Sequence, residues 1–166
     1  MAKHISAELL TVKEDLLKIV SDFKQEQFNK VPFKDSWTAG QVTEHVYKSV
    51  NGVPALLNNE ALPTQRDPEQ HVGQLRAMFL DFNTKMKSPE FILPSDEPKD
   101  KDELTRLLDE TFTGIIEAAK TQDPTQTIQG FEFPGSGPVT RIELLNFISV
   151  HTQRHIHQLK NICAAV

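Results

Sequence analysis

Thr140-Arg141-Ile142-Glu143-Leu144-Leu145-Asn146-Phe147-Ile148-Ser149-Val150-His151-Thr152-Gln153-Arg154-His155-Ile156-His157-Gln158 is the stretch whose periodicity decides the fold class. Thr140 and Glu143 have the spacing of a capping box, in which each side chain satisfies the other's free backbone amide at a helix start. The pattern that follows predicts one long helix to about Ala164. On a helical wheel Leu144, Ile148, His151, His155, Gln158 and Ile162 fall within an arc of roughly 80°. That arc is the core-facing stripe, so two histidines stand where apolar residues otherwise belong.

Working outward, the rest of the chain repeats the helical period. Leu9, Val12, Leu16, Ile19, Val20 and Phe23 recur at spacings of three and four and predict a first helix over about Ser6 to Gln27. Thr38-Ala39-Gly40-Gln41 is a second capping box, with Trp37 before it to staple against Val42 or a neighbour. The helix it opens carries Val42, Val46, Val50, Val53 and Leu57, and Pro54 kinks or ends it. Asp67 and Pro68 read as the cap and first residue of a third helix with Val72, Leu75, Phe79, Phe82 and Met86 on its apolar side. Ser88 to Lys99 holds three prolines and reads as an irregular crossover. Leu104, Leu107, Leu108, Ile115 and Ile116 predict a helix from about Lys101 to Lys120. Thr121 to Val139 is turn-rich, and only Thr127–Phe133 has any claim to be extended. The expectation is an all-α single domain over residues 1–166, four long helices with one extra helix in a connection.

Composition narrows the function classes. The chain has 166 residues, 18 Lys plus Arg against 23 Asp plus Glu, and a net charge of −5. No basic run appears, which argues against nucleic-acid binding through counterion release. No apolar run approaches the roughly 20 residues of a membrane span, and the first residues lack a signal-peptide pattern. Cys163 is the only cysteine, so no intramolecular disulfide exists, and a cytoplasmic location is expected. Near the chain end, it reads as packing rather than as a nucleophile.

The chemistry lies in the histidines. Residues four apart on a helix differ by about 40°, which brings the Cβ atoms of His151 and His155 to roughly 6 Å on one face, within reach of one metal ion. The competing reading is a pair of hydrogen-bonded core histidines. His45, on the edge of the second helix's apolar stripe with small Ser49 and Gly52 near it, is the natural third ligand; alone it would read as a polar boundary residue. His157 points about 160° away from the pair, toward solvent or another subunit. His4 and His71 read as surface residues. Gln41 and Gln158 share faces with the ligands and are candidates to orient an imidazole, or simple helix-packing polarity. Arg141 and Arg154 are candidates to contact an anionic substrate, but read first as exposed salt-bridge residues.

Trp37-Thr38-Ala39-Gly40-Gln41-Val42-Thr43-Glu44-His45 and His151-Thr152-Gln153-Arg154-His155-Ile156-His157-Gln158 together resemble the second-helix and last-helix motifs of the DinB/YfiT-like family. The resemblance spans nearly the whole chain. It implies a four-helix bundle in up-down-down-up order with a long crossover, and a metal site of His45, His151 and His155. It also implies zinc or nickel, frequent homodimers, and activities that include low-molecular-weight-thiol S-transferases, a thiol-dependent isomerase and hydrolases. Three neutral imidazoles leave a divalent ion its full charge and open positions, suited to activating a thiol or a water for a small-molecule substrate. Metalloprotease chemistry is disfavoured, because Thr152 stands where H-E-x-x-H needs its glutamate. No nucleophile elbow or phosphate loop is present. The reading is a metal-dependent thiol S-transferase. The alternatives are a metal-dependent hydrolase and a non-catalytic helical binding or stress-response module.

Overall fold

The computed structural model describes residues 2–166. In chain order it contains α1 (Ala2–Ser21), α2 (Gln25–Phe28), α3 (Ala39–Val50), α4 (Val53–Asn58), β1 (Ala61–Leu62), α5 (Val72–Leu80), α6 (Lys101–Thr121), β2 (Thr127–Phe133), β3 (Gly137–Thr140) and α7 (Arg141–Cys163). The molecule is mostly helical. Helix α1 packs on α6 and α7, and α3 packs on the same two helices. The core between them is apolar, with Leu9, Leu16, Val46, Leu108, Phe112, Ile115, Leu144 and Ile148 fully buried.

The first expected helix is divided. Five residues along a straight helix rotate the chain by about 140°, which would part Phe23 from Phe28. A break after Ser21 instead turns both rings inward, to an edge-on contact with centroids 6.1 Å apart. The second is divided at Asn51-Gly52, because Pro54 has no N–H to offer the carbonyl of Val50. Both capping boxes form. Thr38 accepts from the Gln41 amide while Gln41 accepts from the Thr38 amide, and Thr140 and Glu143 do the same on α7.

The all-α expectation is corrected by a small antiparallel sheet in the order β1-β2-β3. The alternation that announces a strand is hidden in β2 by an irregularity between Thr127 and Glu132, where Gly130 adopts φ +74°. The inward residues therefore read Ile128 then Phe131, a spacing of three rather than two. Gly135 and Gly137, at φ +78° and +72°, close the hairpin to β3.

The expected third helix is shorter at both ends. Asp67 caps a turn, accepting from the Glu69 amide, and α5 starts only at Val72. Tertiary bonds hold that turn. The Glu143 carboxylate takes the His71 amide at 3.0 Å and a two-pronged bond from Arg66 at 2.7 Å each, and Thr140 donates to the Pro68 carbonyl. Burial by itself would raise the Glu143 pKa, but Arg66 and the Thr140 and His71 amides hold it below the usual range. Beyond Leu80 the side chain of Asp81 accepts from Asn83 and Thr84 and stops the helix before Phe82 and Met86. Although α5 lies along α7, none of its residues is buried, because its inner face lines a cavity rather than the core.

The crossover is fastened to α3. Gln41 and Lys48 donate to the carbonyls of Ser95 and Leu93, and Glu44 accepts from the Ser95 amide and pairs with Lys99 at 2.9 Å. The Lys99 stem crosses so close to Gly40 that a Cβ there would lie 2.9 Å from it. Four polar contacts and the close approach at Gly40 thus fix the crossover over the side of the helix that carries His45.

Candidate metal centre

His45 projects from the middle of α3, and His151 and His155 from adjacent turns of α7. All three are buried, and their ligand nitrogens lie within 4.8 Å of one another. The Nε2 atom of His151 is 3.2 Å from Nε2 of His45 and 3.2 Å from Nε2 of His155. An edge of a tetrahedron with zinc–nitrogen bonds of about 2.0–2.1 Å measures about 3.3–3.4 Å, so the spacing fits a single ion.

The outer nitrogens set the protonation pattern. Nδ1–H of His45 donates to the Ile92 carbonyl at 2.9 Å, and Nδ1–H of His155 donates to Oε1 of Gln158 at 2.9 Å. Each ring then presents an unprotonated Nε2 to the centre. His151 Nδ1 is buried with no hydrogen-bond partner, as is the hydroxyl of neighbouring Thr152. Burying imidazole nitrogens this way is costly unless something at the centre compensates. The donor set, its spacing and the orphaned atom together fit a bound divalent ion.

Electrostatics favour the neutral, ligating form. Burial lowers the His45 pKa, against a smaller upward effect of its bond to Ile92. His151 is driven well below the usual range, first by burial and then by the charges of His155, His45 and Arg154. His155 falls to about 4, from burial and the charge of His45, despite its bond to Gln158.

Gln41 touches none of these rings, both ends of its amide being committed to Thr38 and the Ser95 carbonyl. Glu44 faces Lys99 and the crossover. His157 is exposed and stacks on Phe82 with ring centroids 4.3 Å apart; His4 is exposed and His71 half-buried. The surface salt bridges expected of Arg141 and Arg154 do not form among the described residues. Arg141 is buried, its guanidinium held by the carbonyls of Leu57, Asn59 and Asp123 and by Gln126. Arg154 donates to the carbonyls of Phe79, Asp81 and Thr84.

Several participants were not read from the sequence. The Ile92 carbonyl had no signal there, since a main-chain acceptor is shown only by the path of the crossover. Trp37 packs its ring on His45, centroids 5.3 Å apart, rather than serving only as a helix staple. Phe147 stacks on His151 at 5.3 Å; lying four residues before it on the same face, it was legible in principle. Beside the histidines opens a cavity of about 920 Å³, walled by Trp37, Met78, Phe79, Phe82, Met86, Phe91, Phe131, Phe133 and Phe147. Its size is that of a small-molecule site.

Helices packed around an apolar core, with three buried histidines from two of them converging beside an open cavity, define a helical protein with a site able to hold a metal ion. The family model of the DinB superfamily matches residues 8–159, and the chain belongs to that superfamily. No curated protein and no solved structure gives a significant match. No helix among the described residues is long and apolar enough to cross a membrane.

Proposed function

We propose that this chain is a metal-dependent enzyme in which His45, His151 and His155 hold one zinc or nickel ion, and that it transfers a low-molecular-weight thiol to a small electrophile. The observation that carries the reading is the convergence of three buried Nε2 atoms, with the outer nitrogens of His45 and His155 tied down as donors. A divalent ion on neutral imidazoles supplies a lowered pKa to a coordinated thiol or water.

The chain's own residues favour the thiol. Asp35 and Glu132 are the carboxylates of the cavity wall, and neither joins the three nitrogens as a possible ligand. No carboxylate is placed among them to protonate a leaving amine or alcohol, the step for which hydrolysis of an amide or ester uses a general acid. Transfer of a thiol to an electrophilic carbon that expels a halide needs the thiol's proton removed, which a coordinated metal would assist, but no acid to protonate the leaving group. Gln158 and the Ile92 carbonyl hold two imidazoles in place, and the aromatic wall offers an apolar surface to a small electrophile.

The four long helices are read here as an up-down-down-up bundle forming one domain over residues 1–166. Their mutual packing, the fastened crossover at residues 88–100 and the single contiguous core support this. A homodimer is inferred from likeness to the family, and a cytoplasmic location from the lone Cys163.

The test is elemental analysis of untagged protein purified without nickel resin, beside His45→Ala and His151→Ala. About one transition metal per chain, lost in both variants, supports the site; none after reloading with zinc or nickel overturns it. Thiol consumption with an aryl halide by the loaded protein supports the transferase. Ester hydrolysis without thiol consumption moves the assignment to a hydrolase. A stoichiometric metal with neither activity moves it to a binding module.

A further inference from the structure

The wall of the cavity beside the histidines combines two chemistries. Rings and thioethers make most of it, and Met78, Phe82, Met86 and Phe91 are left substantially exposed along its rim. Its charged residues are Lys48, Lys85, Lys87 and Arg154 against Asp35 and Glu132. The chain carries −5 overall, so this patch is locally opposite in sign to the whole.

Arg154 differs from the other arginines. Arg66, Arg76 and Arg106 each pair with a carboxylate, and Arg141 is walled in by carbonyl oxygens. Among the described residues Arg154 has no carboxylate partner, and it lines the cavity next to His155. Its Nη1 donates to the carbonyls of Phe79 and Asp81, and its Nη2 to that of Thr84. Those bonds fix the plane of the guanidinium; the Asp81 carboxylate is near enough to feel its charge but forms no ion pair with it. The bonds leave Nε–H and one Nη2–H without a protein partner, donors available to a carboxylate.

We infer that Arg154 anchors the anionic group of an amphipathic substrate, a small molecule with an apolar, ring-bearing body and one carboxylate. The inference rests on the enzymatic reading for the name of substrate, but the binding itself requires no metal. The apolar body lies against the aromatic wall, and the carboxylate on Arg154 fixes which end of the molecule faces the histidines.

Trp37, the chain's one tryptophan, lines the same cavity and reports on binding. The experiment titrates the full, metal-free chain with 2-naphthylacetate and with its neutral amide, reading quenching of Trp37. The carboxylate is expected to bind at least about tenfold more tightly than the amide. Arg154→Gln is expected to bring that ratio to near one while the amide's Kd is unchanged. A ratio near one in the wild type overturns the inference. So does a ratio that survives Arg154→Gln, or one abolished instead by Lys48→Gln or Lys85→Gln. If Arg154→Gln weakens the amide too, through release of the turn it grips, Arg154→Lys decides: it keeps the charge and loses the fork, so a sharply reduced ratio supports the anchor and an unchanged one overturns it. A ratio that appears only after zinc loading makes the metal the anchor, overturning this inference and sparing the metal site. A ratio present in a chain that never binds zinc does the reverse. An oligomer that binds neither probe would show the mouth closed by a second copy and would overturn it as well.

Discussion

Nδ1–H of His45 donates to the main-chain carbonyl of Ile92 at 2.9 Å, so a histidine on α3 takes its tautomer from a residue of the crossover. The crossover that carries this carbonyl is fastened to the same helix by Lys48 to the Leu93 carbonyl and by Glu44 to the Ser95 amide and to Lys99. Glu44→Gln is therefore expected to lower zinc affinity roughly tenfold, at the low end of the range for partners that orient a ligand. Competition with a chromophoric chelator measures it, and an unchanged Kd would show that His45 is oriented without the crossover.

The orphaned Nδ1 of His151 gives an opposite prediction for stability. In the metal-free chain this buried nitrogen has no partner, a cost of about 1–3 kcal/mol. His151→Leu should abolish metal binding and at the same time stabilise the metal-free protein by about 1–2 kcal/mol. Urea unfolding in the presence of a chelator is the measurement. A destabilised variant would mean that the imidazole is satisfied in the free protein.

Acid should unfold the metal-free chain through these same rings. His155 titrates at about 4 in the folded state, against 6.5 for an unperturbed imidazole, and His45 and His151 are lowered as well. Between those values the unfolded chain binds more protons than the folded one, so stability increases with pH across this window. The contribution is complete above about pH 6.5 and is lost as pH falls toward 4, about 3 kcal/mol from His155 alone. Chemical denaturation at pH 7.5 and pH 5 should show the drop, and His155→Leu should reduce it. Bound zinc should stay on the protein to about pH 5, because the folded ligands resist protonation.

Arg66 and Glu143 lock the linker before α5 to the start of α7. Glu143 is fully buried, while Arg66 remains about a quarter exposed. Arg66→Ala should cost about 2–3 kcal/mol, short of the 3–5 kcal/mol typical when a fully buried pair is broken. Thermal or urea melts test this, and a loss under about 0.5 kcal/mol would mean that the Thr140 and His71 amides satisfy the carboxylate unaided.

The sequence by itself determined the helical class, both capping boxes and the start of α6 and α7, because these depend on residues within a turn or two of one another. It also put His151 and His155 on the buried face of one helix, since four residues make nearly one turn. His45 was a candidate third ligand from its own helix face, but that it meets the pair was implied only by a resemblance, as nothing local relates two helices over a hundred residues apart. The division at residues 51–52 was legible in Pro54, and Thr127–Phe133 as the one extended stretch; the break at 22–24, the strands that pair with β2 and the shortened α5 were decided by packing: Phe23 on Phe28, β1 and β3 on β2, Arg66 on Glu143, Arg154 on the carbonyls beyond α5. The Ile92 acceptor, the lack of an ion-pair partner for Arg154 among the described residues and the cavity itself were likewise decided only there. A main-chain carbonyl, an absent ion-pair partner and a space between elements have no letter in a sequence; they exist only once distant segments have been fastened against one another.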